Sequence, residues 1–238
     1  LDKFYEAEKN PSNESMFDAR SNGYLGWYNG TNSKEAYQFF TNHNEYGSGV
    51  NYAQTFVNSS EDQRIFIRMG SGSAFKIFLN DVEIFKNDKD VSTDLNAYGV
   101  TVNLPKGNNR LLVKTAESNS TSYFLLSLFD ENKKPLENVT ISSNPVSYNT
   151  SSLEALNPEE QENDFEAFFK EKIEANPNNF LYHYALYATY IRNSKYEEAR
   201  NILMPHYKDY PKSSFLRNAL MQTYNLENDY TSANELNE

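Results

Sequence analysis

The chain has 238 residues, with 22 Lys and Arg against 33 Asp and Glu, for a formal charge of −11. It lacks a basic run for the nucleic-acid backbone, a basic amphipathic helix for an anionic membrane, and the roughly 18 consecutive apolar residues of a membrane span. Cysteine is absent, which excludes disulfides, thiolate chemistry and cysteine-based zinc sites.

Residues 1–20 read as a short helical segment, with LDKFYEAEKN ended by Pro11. From 21 to 137 short β-rich runs alternate with Gly, Asn, Asp and Pro, the pattern of an antiparallel sandwich. The runs are 50–58, 64–70, 74–81, 82–87, 98–105, 109–117 and 122–130. In the third, Phe75, Ile77 and Leu79 fall on one face and Lys76, Phe78 and Asn80 on the other. Asn80-Asp81 and Lys106-Gly107-Asn108-Asn109 supply turn chemistry. Residues 138–157 are rich in Ser, Asn and Thr and read as a linker. A helical region is expected over 158–238, opening with Pro158 in a first turn. Phe165, Phe168, Phe169 and Ile173 give its first helix an apolar face.

Within that region Pro177 and Pro211 lie 34 residues apart, and the stretches that follow them align. Ala185 meets Ala219, Leu186 meets Leu220, Thr189 meets Thr223 and Tyr190 meets Tyr224; Tyr196 meets Tyr230 and Ala199 meets Ala233. A fixed period in this range marks a helical solenoid, whose single unit cannot bury its apolar face alone. The units resemble tetratricopeptide repeats. That resemblance covers about residues 160–238, with Tyr187 and Met221 where the family usually has Gly or Ala. It implies a concave face for peptide or protein ligands, carrying Tyr184, Ala188, Ile191 and Arg192 from the first unit. Asn218, Gln222 and Asn225 would come from the second. The face is amide-rich and lacks the Lys and Arg cluster that clamps a carboxylate.

Residues 70–85, GSGSAFKIFLNDVEIF, and 104–115, LPKGNNRLLVKT, carry a second resemblance. They are similar to the galactose-binding-like sandwich, or jelly roll, of carbohydrate-binding modules and of accessory domains in glycoside hydrolases. Asp81 replaces the usual Gly after Asn80. The fold class expected is therefore an antiparallel jelly-roll sandwich followed by tetratricopeptide-like helical hairpins.

Flat aromatics suit stacking on sugar rings, which brings forward Trp27 (the sole tryptophan) with Tyr24 and Tyr28. A single Trp early in a sandwich is also a common core anchor, and both readings stand. Asp88, Asp90, Ser92 and Asp94 alternate like a calcium loop, but Thr93 and Gly99 stand where an EF-hand needs Gly and Glu. A solvated turn is the favoured reading there, with structural calcium the alternative; no other cofactor is expected. His183 and His206 are far apart in sequence, and His43 lies in an Asn-rich loop without carboxylates at ligand spacing. No phosphate loop, nucleophile elbow or assignable carboxylate pair exists, so an enzyme is not expected. Six Asn-X-Ser/Thr sequons, at Asn13, Asn29, Asn58, Asn119, Asn138 and Asn149, are read as background in so Asn-rich a chain.

The chain begins with Leu, shows no signal-like apolar segment, and stops inside the second helix of its second repeat. It is therefore expected to be a fragment of a larger bacterial multidomain protein, acting as a non-enzymatic scaffold through its repeats. The alternatives are a carbohydrate-binding module using the sandwich, or an accessory region of an exported hydrolase or transglutaminase-like protein. By analogy with such exported proteins, the expected location is extracytoplasmic, periplasmic or at the cell surface.

Overall fold

The computed structural model describes residues 1–18, 24–30, 36–40, 49–117 and 123–236. Two compact units form: residues 1–91 with 95–161, and residues 92–94 with 162–238. His43 and Asn119 lie outside the described residues.

The first unit contains β1 (Met16–Asp18), β2 (Tyr24–Gly26), β3 (Gln38–Phe39), β4 (Gly49–Ser59), β5 (Gln63–Ser71) and β6 (Ala74–Leu79). It continues with β7 (Val82–Asn87), β8 (Tyr98–Leu104), β9 (Gly107–Glu117), β10 (Tyr123–Asp130) and β11 (Val139–Ser142), then α1 (Leu153–Leu156) and β12 (Glu159–Gln161). One antiparallel sheet runs β12-β8-β5-β10-β3 and the other β11-β4-β9-β6-β7, with β1 and β2 paired separately. From β3 to β12 every connection except β6–β7 passes from one five-stranded sheet to the other. The two sheets therefore share one core and form a sandwich.

Alternation decides what enters that core. Ile65, Ile67, Met69, Val100, Val102, Leu104 and Phe124 of one sheet meet Val57, Phe75, Ile77, Leu79, Leu111 and Val113 of the other. Each fully buried aliphatic side chain contributes about 1.5–3 kcal/mol relative to exposure. Leu156 closes the core from α1 and is wholly buried. The segment read as a linker thus carries a strand and a helical turn because it has an apolar plug to bury.

The β6–β7 connection is a two-residue turn with both residues left-handed, Asn80 at φ 51° and Asp81 at φ 66°. Asp81 takes a position that favours Gly because its carboxylate is used. One oxygen accepts from Arg110 Nη1 at 2.9 Å and the other from Tyr148 hydroxyl at 2.8 Å. Buried Asn80 accepts from Arg110 N at 2.9 Å and donates to Asn109 Oδ1 at 2.8 Å, tying this turn to the start of β9. The second expected turn is confined to Pro105 and Lys106, since β9 already begins at Gly107.

The second unit holds α2 (Asp164–Ala175), α3 (Phe180–Arg192), α4 (Tyr196–Asp209), α5 (Ser214–Leu226) and α6 (Tyr230–Glu235), each packed on the next. None is long and apolar enough to cross a membrane. Pro158 does not open a helix. Glu159–Gln161 pair with β8 and Arg64 holds Glu159 at 3.0 Å, so α2 starts only after Asn163, which caps Phe165 and Glu166 amides. Phe169 and Ile173 pack on the helical core, but Phe165 and Phe168 remain exposed. The buried side chain on α2 is instead Glu166, held by Lys195 Nζ at 2.7 and 2.9 Å. Ser194 and Asn228, 34 positions apart, both adopt positive φ after α3 and α5. The sequence period is thus repeated in the backbone, with Ala199 and Ala233 buried where helices approach closely.

Two substitutions test this account by chemical denaturation. A Cβ at Gly99 would lie 2.6 Å from the Phe66 ring, so Gly99→Val should cost about 1–3 kcal/mol. Asp81→Gly relieves a left-handed backbone but strips Arg110 of its carboxylate, and should be a net loss of about 1–2 kcal/mol. A stability gain in Asp81→Gly would show that the ion pair carries nothing.

Candidate functional site

Each strand of the sheet β12-β8-β5-β10-β3 that buries one row of side chains presents the next row outward. On β10 the outward row is Tyr123, Leu125, Ser127 and Phe129, and on β5 it is Phe66 and Arg68. Ser127 lies opposite Arg68 and Phe129 opposite Phe66 in the pairing register. The Arg68 guanidinium sits 4.7 Å from the Phe66 ring centre and 5.9 Å from that of Phe129, within cation–π range. Phe66 is buried and its ring closes on Gly99, where a Cβ would lie 2.6 Å from it.

At the other end of β10, Tyr37, Phe39 and Tyr123 form a ring cluster. Centroids are 5.4 Å apart for Tyr37–Tyr123, 5.7 Å for Phe39–Tyr123 and 6.1 Å for Tyr37–Phe39. Tyr123 can lie down because Gly72 beneath it has no Cβ, which would fall 2.3 Å from its ring. Phe39 is 49% exposed and Tyr123 half-buried. From Tyr123 to Phe129 the strip runs about 20 Å along the strand, aromatic at both ends, with buried Leu125 and then Ser127 opposite Arg68 between them. Sequence reasoning missed this strip. The alternation in YFLLSLFD held half the signal, but Phe39 reaches Tyr123 only through strand pairing.

The sequence candidates are placed as follows. Trp27 is half-buried; its ring N–H donates to Asn10 O at 2.7 Å, and Phe17 meets its ring edge-on at 6.3 Å. Tyr28 is 73% exposed, while Tyr24 lies in β2 with its side chain outside the described residues. On the helical unit Tyr184 stacks on Tyr187 at 5.5 Å and meets Phe215 at 5.1 Å. Ala188 and Ile191 are half-buried against the helical core. Arg192 is paired with Asp94 at 2.8 Å, so its charge is already matched within the unit. Asn218, Gln222 and Asn225 share an exposed face of α5 and, with Met221 and Leu226, line a shallow depression of about 380 Å³.

His183 and His206 come together despite their separation in sequence, with ring centres 4.5 Å apart between α3 and α4. Burial and the neighbouring His183 lower the His206 pKa. No group of three His, Asp or Glu able to hold a metal occurs among the described residues.

No family model matches the sequence, and neither does any curated protein. Two solved structures are similar to parts of it. The PA14 domain of the antifreeze protein MpAFP is 14% identical, with a TM-score of 0.30 over 40% of this chain and 52% of that one, about half its length. A family 35 carbohydrate binding module from an environmental isolate is 15% identical, with a TM-score of 0.28 over 45% and 79%. Similarity at this level identifies neither a family nor a ligand.

The helical face rests on Tyr187, whose hydroxyl donates to Ala219 O at 2.8 Å and so joins α3 to α5. Burial, with Tyr184 beside it, pushes its phenol up from 10.0 to about 12. Its contribution is complete below pH 10 and is lost as pH rises through about 12, because the unfolded chain ionises first. Tyr187→Phe should cost about 1 kcal/mol at neutral pH and flatten the fall in helical-unit stability between pH 10 and 12. An unchanged alkaline limb in this variant would remove Tyr187 from that role.

Proposed function

We propose that this chain is a non-catalytic binding protein whose sandwich holds a glycan along the outer face of β10 and β3. The observation that carries the reading is the cluster of Tyr37, Phe39 and Tyr123, with Ser127 and Arg68 farther along the same outer face. A pyranose ring offers an apolar C–H face to aromatic rings and hydroxyls to flanking polar groups. A ligand site needs that combination of flat apolar surface and a few placed donors. On this reading the sandwich is of the jelly-roll, carbohydrate-binding-module type, no cofactor or metal is needed, and the location is extracytoplasmic.

A second reading belongs to the helical unit, as a tetratricopeptide-like scaffold for an extended peptide. The depression on α5 favours it, because Asn218, Gln222 and Asn225 offer amides that bond a peptide backbone without demanding a charge.

A glycan-array screen of the whole chain separates the two. Saturable binding is expected on the array. It should weaken roughly tenfold in Tyr123→Ala, the equivalent of about 1.4 kcal/mol of ring stacking, and persist in Trp27→Ala. Loss in Trp27→Ala alone would move the site to Trp27. Absence of glycan binding, with peptide capture abolished by Gln222→Ala, would make the helical reading the correct one.

A further inference from the structure

The outer face of the other sheet is built differently. Lys114 of β9, Lys76 of β6 and Lys86 of β7 are cross-strand neighbours in a single row. Like charges placed directly opposite one another destabilise a sheet. Glu83 and Asp88 meet Lys76 and Lys86 at 2.8 and 3.0 Å, and Lys114, with no such neighbour on its own strand among the described residues, draws its anion from a segment that lies across the row.

Residues 1–11 lie across it. Asp2 bridges Lys76 at 2.9 Å and Lys86 at 3.0 Å, and these bonds lower its pKa to about 2. Glu8 takes Lys114 at 2.7 Å and the Tyr52 hydroxyl at 2.9 Å. Most other contacts read the backbone. Lys114 bonds Lys3 O at 2.6 Å, and Arg110 bonds Ala7 O at 3.0 Å and Glu8 O at 2.6 Å. Trp27 bonds Asn10 O and Gln54 bonds Pro11 O at 3.0 Å. The segment forms no strand pairing and makes one short helical turn at Glu6–Glu8. Ala7 is buried, whereas Phe4 is 55% exposed. A row of side-chain donors that reads main-chain carbonyls, with two carboxylates, Asp2 and Glu8, fixing the register, is the contact pattern of a bound peptide.

We propose that this face is a binding groove for an extended acidic peptide, that residues 1–11 are its occupant in cis, and that this occupant is exchangeable. The contacts that hold the segment are polar and ionic and lie on the side of the sheet opposite the sandwich core, so its departure leaves that core closed and returns the covered Arg110 and Lys114 to water. This inference stands apart from the glycan reading, since it uses the other sheet.

The test uses the whole chain with a protease site inserted between the exposed Asn13 and Glu14. After cleavage, the amino-terminal fragment should co-elute with the body and be displaced by a fluorescent LDKFYEAEKNP peptide in a saturable manner. Glu8→Gln in the peptide should weaken competition roughly tenfold, and Lys114→Met in the body should weaken binding of the unmodified peptide. High salt should speed exchange. Equal competition by a scrambled peptide of the same composition overturns the proposal. So does unfolding of the body, by circular dichroism, as the fragment leaves, or a fragment that never exchanges while the body stays folded.

Discussion

Two cations buried on the outside of a sheet govern the first unit. Arg110 and Lys114 face away from the core, yet both are almost wholly removed from water. A desolvated charge is tolerated only when its donors are fully occupied. Arg110 is met by Gln54, Asp81 and the carbonyls of Ala7 and Glu8, and Lys114 by Lys3 O and Glu8. Several otherwise unrelated features follow from this demand. The Asn80-Asp81 turn keeps a carboxylate where Gly would be easier. Tyr52 gives its hydroxyl to Glu8, and burial with that bond pushes its phenol far above the ordinary range. Trp27 is turned so that its ring N–H holds the end of the same segment.

The two outer faces therefore differ in character although both arise from the same alternation. One is crossed by residues 1–11 through a dense set of polar contacts. The other carries aromatic rings over glycines, with an arginine lying between them. Glycines 72 and 99 serve one purpose at two places, letting the Tyr123 and Phe66 rings pack where a Cβ would stand. Phe66 is buried, whereas Phe39 beside Tyr123 is exposed, so the ring surface that the ligand reading uses lies at the Tyr37, Phe39 and Tyr123 end.

The helical unit answers to a repeated local logic. Asn179 and Ser213, 34 positions apart, cap α3 and α5, and Ser194 and Asn228 turn each chain through the left-handed region. Small residues at Ala199 and Ala233 admit the next helix. Tyr187 fills the space against α5 and then uses its hydroxyl on a backbone carbonyl.

Much of this was legible in the sequence because it depends on neighbours along the chain. The alternation in AFKIFLN, the turn residues near 80 and 106, and the 34-residue period each report a local backbone preference. Strands 50–58, 64–70 and 109–117 correspond closely to β4, β5 and β9. What failed depended on partners distant in sequence. Pro158 suited a helix start, but pairing of Glu159–Gln161 with β8 outweighed that preference. His183 and His206 met because α3 and α4 pack together. Arg110 and Lys114 read as ordinary polar positions on a strand, with nothing local to show that residues 1–11 would cover them. The sequence by itself determined β4 to β10, the Asn80-Asp81 turn and the helical period, through alternation, backbone φ and capping. Only the tertiary structure decided which outer face is covered and which aromatics meet, because strand register and long-range charge pairing place residues together that share no local pattern.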